Sequence, residues 1–262
     1  MKMQLYSTHP LIKMMIDIDV KQSWIAEYFK FHFRLSTISQ PYDDILYIRE
    51  NGNGTFICSY EDRVFETEPS IEFITTRITS WVLGITNDML FKKNIYVLHG
   101  AACVYKNQTL LFLGNKGTGK STLLYKILVS GGGFLADDNI YFSLDNNNVY
   151  YSDLGIRIKN GSKIQDRCFE VFPVVLNGIQ YIQPQNRFFS STKPDKIYFL
   201  TKEAVPKESR LFFSDFAKMV IPNIKNSNSG VFQAISLFQS LTLTEIKIIN
   251  AFEIKELDAI FD

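Results

Sequence analysis

One segment of the chain, GNKGTGKS at positions 114–121, matches the pattern GxxxxGK[ST] at every fixed position. Glycines in such a segment let main-chain amides curl around a phosphate, and a following helix directs its positive end at the same anion. The apolar run Leu110–Leu113 predicts a buried strand before the segment, and Ser121–Ser130 predicts a helix after it. We therefore expect a phosphate loop. Its residues are Gly114, Asn115, Lys116, Gly117, Thr118, Gly119, Lys120, Ser121 and Thr122.

Two side chains of this loop have chemistry of their own. The ammonium of Lys120 would lie between the β- and γ-phosphates of a nucleoside triphosphate. The hydroxyl of Ser121 would join phosphate oxygens and water around a magnesium ion, which prefers oxygen ligands. The loop thus predicts that ATP and Mg²⁺ bind together.

A pair of carboxylates, Asp137 and Asp138, follows Lys120 by seventeen and eighteen residues, directly after the strand-like run Phe134–Ala136. Successive side chains of a strand point to opposite faces, so both can reach one site only where the strand ends. In a doubly wound sheet, the carboxyl end of a strand beside the loop strand opens into the ligand crevice. One carboxylate could then hold magnesium and the other take a proton from an attacking hydroxyl. The alternative interpretation is a solvated turn.

The segments around the loop predict an α/β fold that contains a βαβ unit. A triple glycine at 131–133 ends the predicted helix, and Asp145–Asn148 forms a polar turn between two later strands. The predicted strands are Ile95–Leu98, Ala101–Tyr105, Leu110–Leu113, Phe134–Ala136, Ile140–Leu144, Val149–Tyr151 and Lys196–Leu200. Helices are predicted over Ser214–Ile221 and Val231–Leu241.

The N-terminal third of the chain has a different pattern of predicted strands and helices. Ile45–Arg49 and Thr55–Tyr60 flank the turn-prone Asn51–Gly54 and predict a hairpin. From Ile71, apolar residues recur at steps of three and four, which predicts a helix of about fifteen residues. The aromatic spacing of residues 23–34 suits a helix and a strand equally, so that segment stays unassigned. We expect an α+β lobe over residues 1–90 and a nucleotide-binding domain over residues 91–262.

Composition narrows the class of protein. With 262 residues, 46% of them apolar and 21% charged, the chain has material for a globular core. A net charge of +1 argues against dedicated binding to nucleic acid or to anionic membranes. The three cysteines are widely spaced and odd in number, which favours a reducing cytoplasm over a disulfide framework or a zinc site. The apolar run Leu11–Ile18 is too short for a membrane span, and no export signal is predicted.

Taken together, the sequence His99-Gly100-Ala101-Ala102, the loop GNKGTGKST and the run Leu135–Asp138 resemble the catalytic core of HPr kinase and of smaller HPr-kinase-like proteins over residues 98–138. The resemblance implies a P-loop, mixed-sheet core similar to that of phosphoenolpyruvate carboxykinase. It also implies phosphorylation of a hydroxyl group. Some similar proteins, encoded in clusters for ribosomally made peptides such as lasso peptides, act on a hydroxyl of the peptide.

The resemblance also implies roles for individual residues. Asp137 would be the catalytic base, Asp138 would assist with metal or substrate, and His99 would lie close to the phosphates. Arg157 or Lys159 would stabilise the transferred phosphoryl group, unless the two form a solvated basic face of a strand.

The chain departs from the family pattern at two places. Thr122 stands where HPr kinases have glutamate, and a Glu-x-Arg-Gly signature is absent from the sequence. Both departures argue against the reverse phosphorylase activity and against HPr as the substrate.

The sequence therefore favours a Mg-ATP-dependent kinase that acts on a serine or threonine hydroxyl of a peptide or of a small molecule. The alternative is a non-catalytic nucleotide-binding module whose occupancy controls a partner. An NTPase coupled to transport or nucleic acid fits less well, because the aspartates follow the loop so closely. Residues 1–90 are candidates for substrate recognition. The sequence does not determine the oligomeric state, and a homo-oligomer is one of the alternatives.

Overall fold

The computed structural model describes residues 1–68, 70–152, 154–159, 166–202 and 245–250, together with residues 224 and 239. In this part of the chain the protein is mixed α/β, with many strands and few helices. The strands are β1 (Lys2–Tyr6), β2 (Met14–Asp19), β3 (Asp44–Glu50), β4 (Phe56–Tyr60), β5 (Arg63–Thr67), β6 (Ile95–Leu98), β7 (Gly100–Tyr105), β8 (Gln108–Leu113), β9 (Gly133–Asp137), β10 (Ile140–Ser143), β11 (Val149–Tyr150), β12 (Ile156–Lys159), β13 (Phe169–Val171), β14 (Ile179–Pro184), β15 (Lys196–Thr201) and β16 (Glu245–Asn250). The α-helices are α1 (Ser23–His32), α2 (Ile71–Phe73), α3 (Thr79–Phe91) and α4 (Lys120–Val129).

The chain divides into two compact units, of which the first comprises Met1–Met89 and Asp153–Gln183. Its larger sheet has the order β1-β2-β3-β4-β5. Strands β2 and β3 are parallel, with α1 between them in sequence, whereas the other pairs are antiparallel. The predicted hairpin is confirmed as β3 and β4, which pair from Glu50 opposite Phe56.

Helix α1 resolves the ambiguous aromatic segment. Its buried residues are Ile25, Ala26, Tyr28, Phe29 and His32, which recur at helical steps. Tyr28 packs edge-on against Tyr181 and Phe172, which belong to the later segment. The N–H of Gly155 also donates to the carbonyl of His32 at 2.9 Å. These contacts explain why Asp153–Gln183 groups with the first unit.

The helix predicted from Ile71 is confirmed and runs farther than the sequence indicates. It begins as α2, passes through a π-helical turn over Ile74–Ile78 and continues as α3. Ser70 caps its start by accepting a hydrogen bond from the N–H of Phe73 at 3.1 Å. The hydroxyl of Thr79 donates to the carbonyl of Ile74 at 3.1 Å, a local bond that accompanies the wider turn.

The second unit, Leu90–Ser152 and Pro184–Asp262, contains a five-stranded sheet of order β16-β15-β8-β7-β9. Strand β8 is parallel to β15 and antiparallel to β7. The expected neighbour of the loop strand was β9, and that expectation is wrong, because β7 lies between β8 and β9. Lys106 and Asn107, both with positive φ, form a tight turn that folds β7 back against β8. Strand β7 therefore takes the position next to β8 that was expected for β9.

A second sheet of this unit has the order β11-β10-β6. Its inner side chains pack on the larger sheet in one apolar core, which includes Leu98, Ala102, Leu111, Leu113, Leu135, Ile140 and Phe142. The predicted strands at 95–98, 101–105, 110–113, 134–136, 140–144, 149–151 and 196–200 are all found, with small shifts of their ends. The helices predicted over 214–221 and 231–241 lie outside the described residues.

Within the described ranges, no helix combines the length and apolar character needed to cross a bilayer. The three cysteines carry free thiols. Burial raises the pKa of the Cys58 thiol to about 12 and that of the Cys103 thiol still further. Both of these thiols are therefore protonated at neutral pH and pack as small apolar groups.

Candidate active site at the phosphate loop

The predicted phosphate loop lies between β8 and α4, in the strand-loop-helix context that the sequence predicts. From Thr109 onward β8 is buried. Helix α4 begins at Lys120, directly after Gly119, whose φ of 94° lies in the left-handed region. The first N–H groups of an α-helix have no carbonyl partner within the helix, and such groups commonly bind anions.

Gly114 is the tightest position of the loop. Its φ is 140°, and a β-carbon there would collide with the carbonyl oxygen of Leu200 at the end of β15. The neighbouring atom is backbone, so it cannot turn away as a flexible side chain would. Glycine at this position allows the chain to leave β8 close beside β15.

We expect Gly114→Ala to lower the free energy of unfolding by about 2 kcal/mol or more, because it combines a strained φ with a backbone clash. Urea unfolding measures this change. Gly84→Ala is the matched control: Gly84 lies in α3 and a β-carbon there meets nothing within 4 Å. The control should gain roughly 0.5–1 kcal/mol, and a similar gain in Gly114→Ala would contradict the clash.

Lys120 points back into the loop. Its side chain is buried, with 6% of the residue exposed. The ammonium donates hydrogen bonds to the carbonyl oxygens of Gly114 at 2.7 Å and Asn115 at 2.9 Å. Burial lowers the pKa of Lys120, and attraction to Asp138 and then Asp137 opposes that shift. The two carbonyl oxygens thus hold the ammonium of Lys120 inside the loop.

Ser121 and Asp137 are in direct contact. The hydroxyl of Ser121 donates to Oδ1 of Asp137 at 2.9 Å. Asp137 is only 4% exposed and is the last residue of β9. The register explains the contact, because β7 pairs Gly100 with Leu113 of β8 and Ala101 with Asp137 of β9. The carboxylate therefore ends at the level of the loop although β7 separates the two strands.

Asp138 faces His99. Oδ1 of Asp138 lies 3.7 Å from Nδ1 of His99, and the two side chains are 28% and 23% exposed. His99 links β6 to β7, and Asp138 links β9 to β10, so both residues lie where the chain passes from one sheet to the other. The pairing of Leu98 with Ile140 brings the two links together.

Asp138 also has a φ of 63°, a left-handed conformation that aspartate tolerates better than most residues. Both carboxylates lie close enough to Lys120 to act on its pKa, Asp138 more strongly than Asp137.

The remaining loop residues differ in exposure. Asn115, Lys116 and Gly117 are exposed, whereas Thr118 is buried and its hydroxyl donates to the carbonyl of Asn115 at 2.9 Å. Thr122 is exposed in the first turn of α4. Residues 115–117 therefore form the side of the loop that faces solvent, and the hydrogen bond from Thr118 to Asn115 closes the turn.

The two basic candidates, Arg157 and Lys159, belong to the first unit. Both lie on β12, where Arg157 pairs with Tyr181 of β14. Arg157 is exposed, and its charge partly opposes the rise that burial causes in the pKa of Tyr28.

One cation at the site has no counterpart in the sequence analysis. The ammonium of Lys202 would lie 3.3 Å from a β-carbon built at Gly117. Lys202 directly follows β15 in sequence. The loop pattern offers no signal for it, because the residue lies more than eighty positions beyond the loop.

The oxygen donors at the site suit a magnesium nucleotide. A serine hydroxyl and two carboxylates are hard ligands, and Mg²⁺ commonly takes only one or two protein carboxylates together with phosphate oxygens and water. Among the described residues, no group of three or more histidine, cysteine, aspartate or glutamate side chains is placed to hold a metal alone. The hydroxyl of Ser121 and the carboxylates of Asp137 and Asp138 are oxygen donors of the kind that Mg²⁺ takes together with phosphate oxygens.

Comparison of the chain with protein-family models and with curated proteins found no match.

Proposed function

We propose that the protein is a Mg-ATP-dependent kinase that transfers the γ-phosphate to a serine or threonine hydroxyl of a peptide or small molecule. The observation that carries this proposal is the contact of Ser121 with Asp137 at 2.9 Å, beside the buried Lys120. A lysine ammonium, a serine hydroxyl and a carboxylate therefore lie close together. These are the parts that phosphoryl transfer requires, because its catalysis rests on positioning and charge stabilisation.

In this proposal the side chains of Lys120 and Ser121 exchange their present hydrogen-bond partners for the phosphates and the metal. A bound Mg²⁺ would neutralise negative charge on the nucleotide phosphates. Lys120 turns from the carbonyls of Gly114 and Asn115 to phosphate oxygens, and Ser121 offers its hydroxyl oxygen to the metal. Asp137 would accept the proton of the attacking hydroxyl as its oxygen bonds to the γ-phosphorus, while the bond from that phosphorus to the β,γ-bridging oxygen breaks and ADP leaves.

Asp138 assists from the second position of the pair, where His99 lies within 3.7 Å. An adjacent carboxylate raises the energy of placing two negative charges at one site, and a divalent cation lowers it. The pair is therefore suited to a metal-bound nucleotide and less suited to a free anion.

We also infer that the second unit has a P-loop core of the phosphoenolpyruvate carboxykinase type, as the resemblance to HPr kinase implies. The mixed sheet supports this inference, since β7 is antiparallel to both of its neighbours while β8 and β15 are parallel. The proposed acceptor class includes ribosomally made peptides, and residues 1–90 are the proposed recognition region. The proposed setting is the cytoplasm.

Incubation with γ-labelled ATP, Mg²⁺ and a cell extract tests the proposed function. Label should enter a peptide, a protein or a free metabolite in the presence of the protein, and α-labelled ATP should give no such transfer. Equal labelling with and without the protein would contradict the proposal, and the chemical class of the labelled fraction identifies the acceptor.

A further inference from the structure

We propose that Lys202 is a second phosphate-binding cation of the site, which contacts the triphosphate tail from the exposed side of the loop. This inference rests on the proposed nucleotide binding and extends it to a residue outside the loop. Its basis is that the ammonium of Lys202 lies beside Gly117, within 3.3 Å of a β-carbon built there.

The sheet accounts for this position. Strand β15 runs parallel to β8, with Lys196 opposite Leu110 and Phe199 opposite Leu113, so both strands end at the same edge. The chain then continues past the loop, and the carbonyl of Leu200 lies against Gly114. Carboxyl ends of parallel strands are where ligands of α/β sheets bind. The pairing of β15 with β8 thus brings the chain at Lys202 to the edge of the sheet where the loop lies.

The loop itself explains why a lysine is useful there. Lys120 is enclosed and donates to two loop carbonyls, whereas Lys202 and Gly117 are exposed. Gly117 has a φ of 80° and no side chain, so nothing from that residue separates the Lys202 ammonium from the loop backbone. A phosphate held by the loop amides would therefore lie within reach of a lysine stem, and a charge-assisted hydrogen bond would form.

The charges at this edge favour the same conclusion. Asp137 and Asp138 both lie close enough to Lys120 to oppose the fall in its pKa. A triphosphate adds further negative charge next to these carboxylates. A second ammonium lowers the cost of that accumulation, and its effect falls with salt because Lys202 is exposed.

The test compares wild type, Lys202→Met, Lys202→Arg and the control Lys92→Met, an exposed lysine of the same unit. Calorimetric titration measures the binding of Mg-ATP, of Mg-tripolyphosphate, which carries the tail alone, and of adenosine, which lacks it. We expect Lys202→Met to weaken binding of ATP and tripolyphosphate about tenfold. Adenosine binding should not change, Arg should restore most of the loss, and Lys92→Met should match wild type.

Unchanged binding of ATP and tripolyphosphate in Lys202→Met would overturn the proposal, and so would an equal loss for adenosine, which indicates general damage. Lys120→Met separates this failure from that of the proposed function. If wild type binds Mg-ATP and Lys120→Met does not, while Lys202→Met binds normally, the role of Lys202 alone is refuted. If wild type binds neither ATP nor tripolyphosphate, nucleotide binding itself is refuted, and the role of Lys202 with it.

Discussion

Replacement of Asp137 by asparagine should lower phosphoryl transfer by about 10²- to 10⁴-fold, the range that a general base contributes. Mg-ATP binding should stay within about tenfold of wild type, because the loop and Lys120 are untouched. The amide oxygen of asparagine can still accept the hydrogen bond from Ser121, which the carboxylate now accepts at 2.9 Å. The asparagine cannot take a proton at neutral pH. Binding is measured by calorimetry and transfer by label from γ-labelled ATP.

The matched control is Asp145→Asn, an exposed carboxylate in the turn between β10 and β11. This variant should transfer phosphate at the wild-type rate. If Asp137→Asn also keeps full transfer, Asp137 is not the base. If wild type binds Mg-ATP but labels no acceptor, the protein is a nucleotide-binding module and the kinase proposal fails.

Replacement of Lys120 by methionine should weaken Mg-ATP binding about 10²-fold or more and abolish transfer. The methionine keeps the apolar stem but loses an ammonium that would make charge-assisted bonds to phosphate, each worth roughly 1.5–3 kcal/mol. Burial of Lys120 strengthens this expectation, since only 6% of the residue is exposed and water competes little there. Calorimetry and fluorescent-nucleotide displacement measure the loss.

Lys126→Met is the control on the same helix, because Lys126 is exposed in the last turn of α4. It should bind Mg-ATP as wild type does. Thermal unfolding without nucleotide checks that Lys120→Met is folded. Nucleotide affinity close to that of wild type in a folded Lys120→Met protein would show that the loop does not hold phosphate.

The sequence predicts the loop and the elements on either side of it because the pattern is local. The glycines, Lys120 and Ser121 are consecutive residues whose geometry depends on one strand and one helix. The end position of Asp137 on β9 also follows locally, from the alternation of side chains along a strand. Distances between these two parts required the three-dimensional structure.

The order of the strands in the sheet cannot be predicted from the local sequence pattern. The turn at Lys106 and Asn107 lacks the glycine that would have marked a two-residue hairpin, so the insertion of β7 between β8 and β9 was not expected. The approach of His99 to Asp138 depends on the register of two sheets. Lys202 likewise becomes a site residue only through the pairing of β15 with β8.

The sequence alone does not decide between helix and strand for helix α1. Its aromatic residues fit steps of two and of four, and the helix is favoured because Ile25, Tyr28 and His32 bury one continuous face. That face packs against residues about 150 positions later, including Tyr181. Packing between segments so far apart in the chain cannot be predicted from the local sequence.

A crystal structure of the protein with Mg²⁺ and a non-hydrolysable ATP analogue tests the central claim most directly. We expect the β- and γ-phosphates inside the loop, with Nζ of Lys120 at about 3 Å from a phosphate oxygen and the Ser121 hydroxyl at about 2.1 Å from the metal. The carboxylates of Asp137 and Asp138 should face the γ-phosphate. A nucleotide bound elsewhere, or carboxylates turned away from the γ-phosphate, would contradict the assignment of this site to phosphoryl transfer.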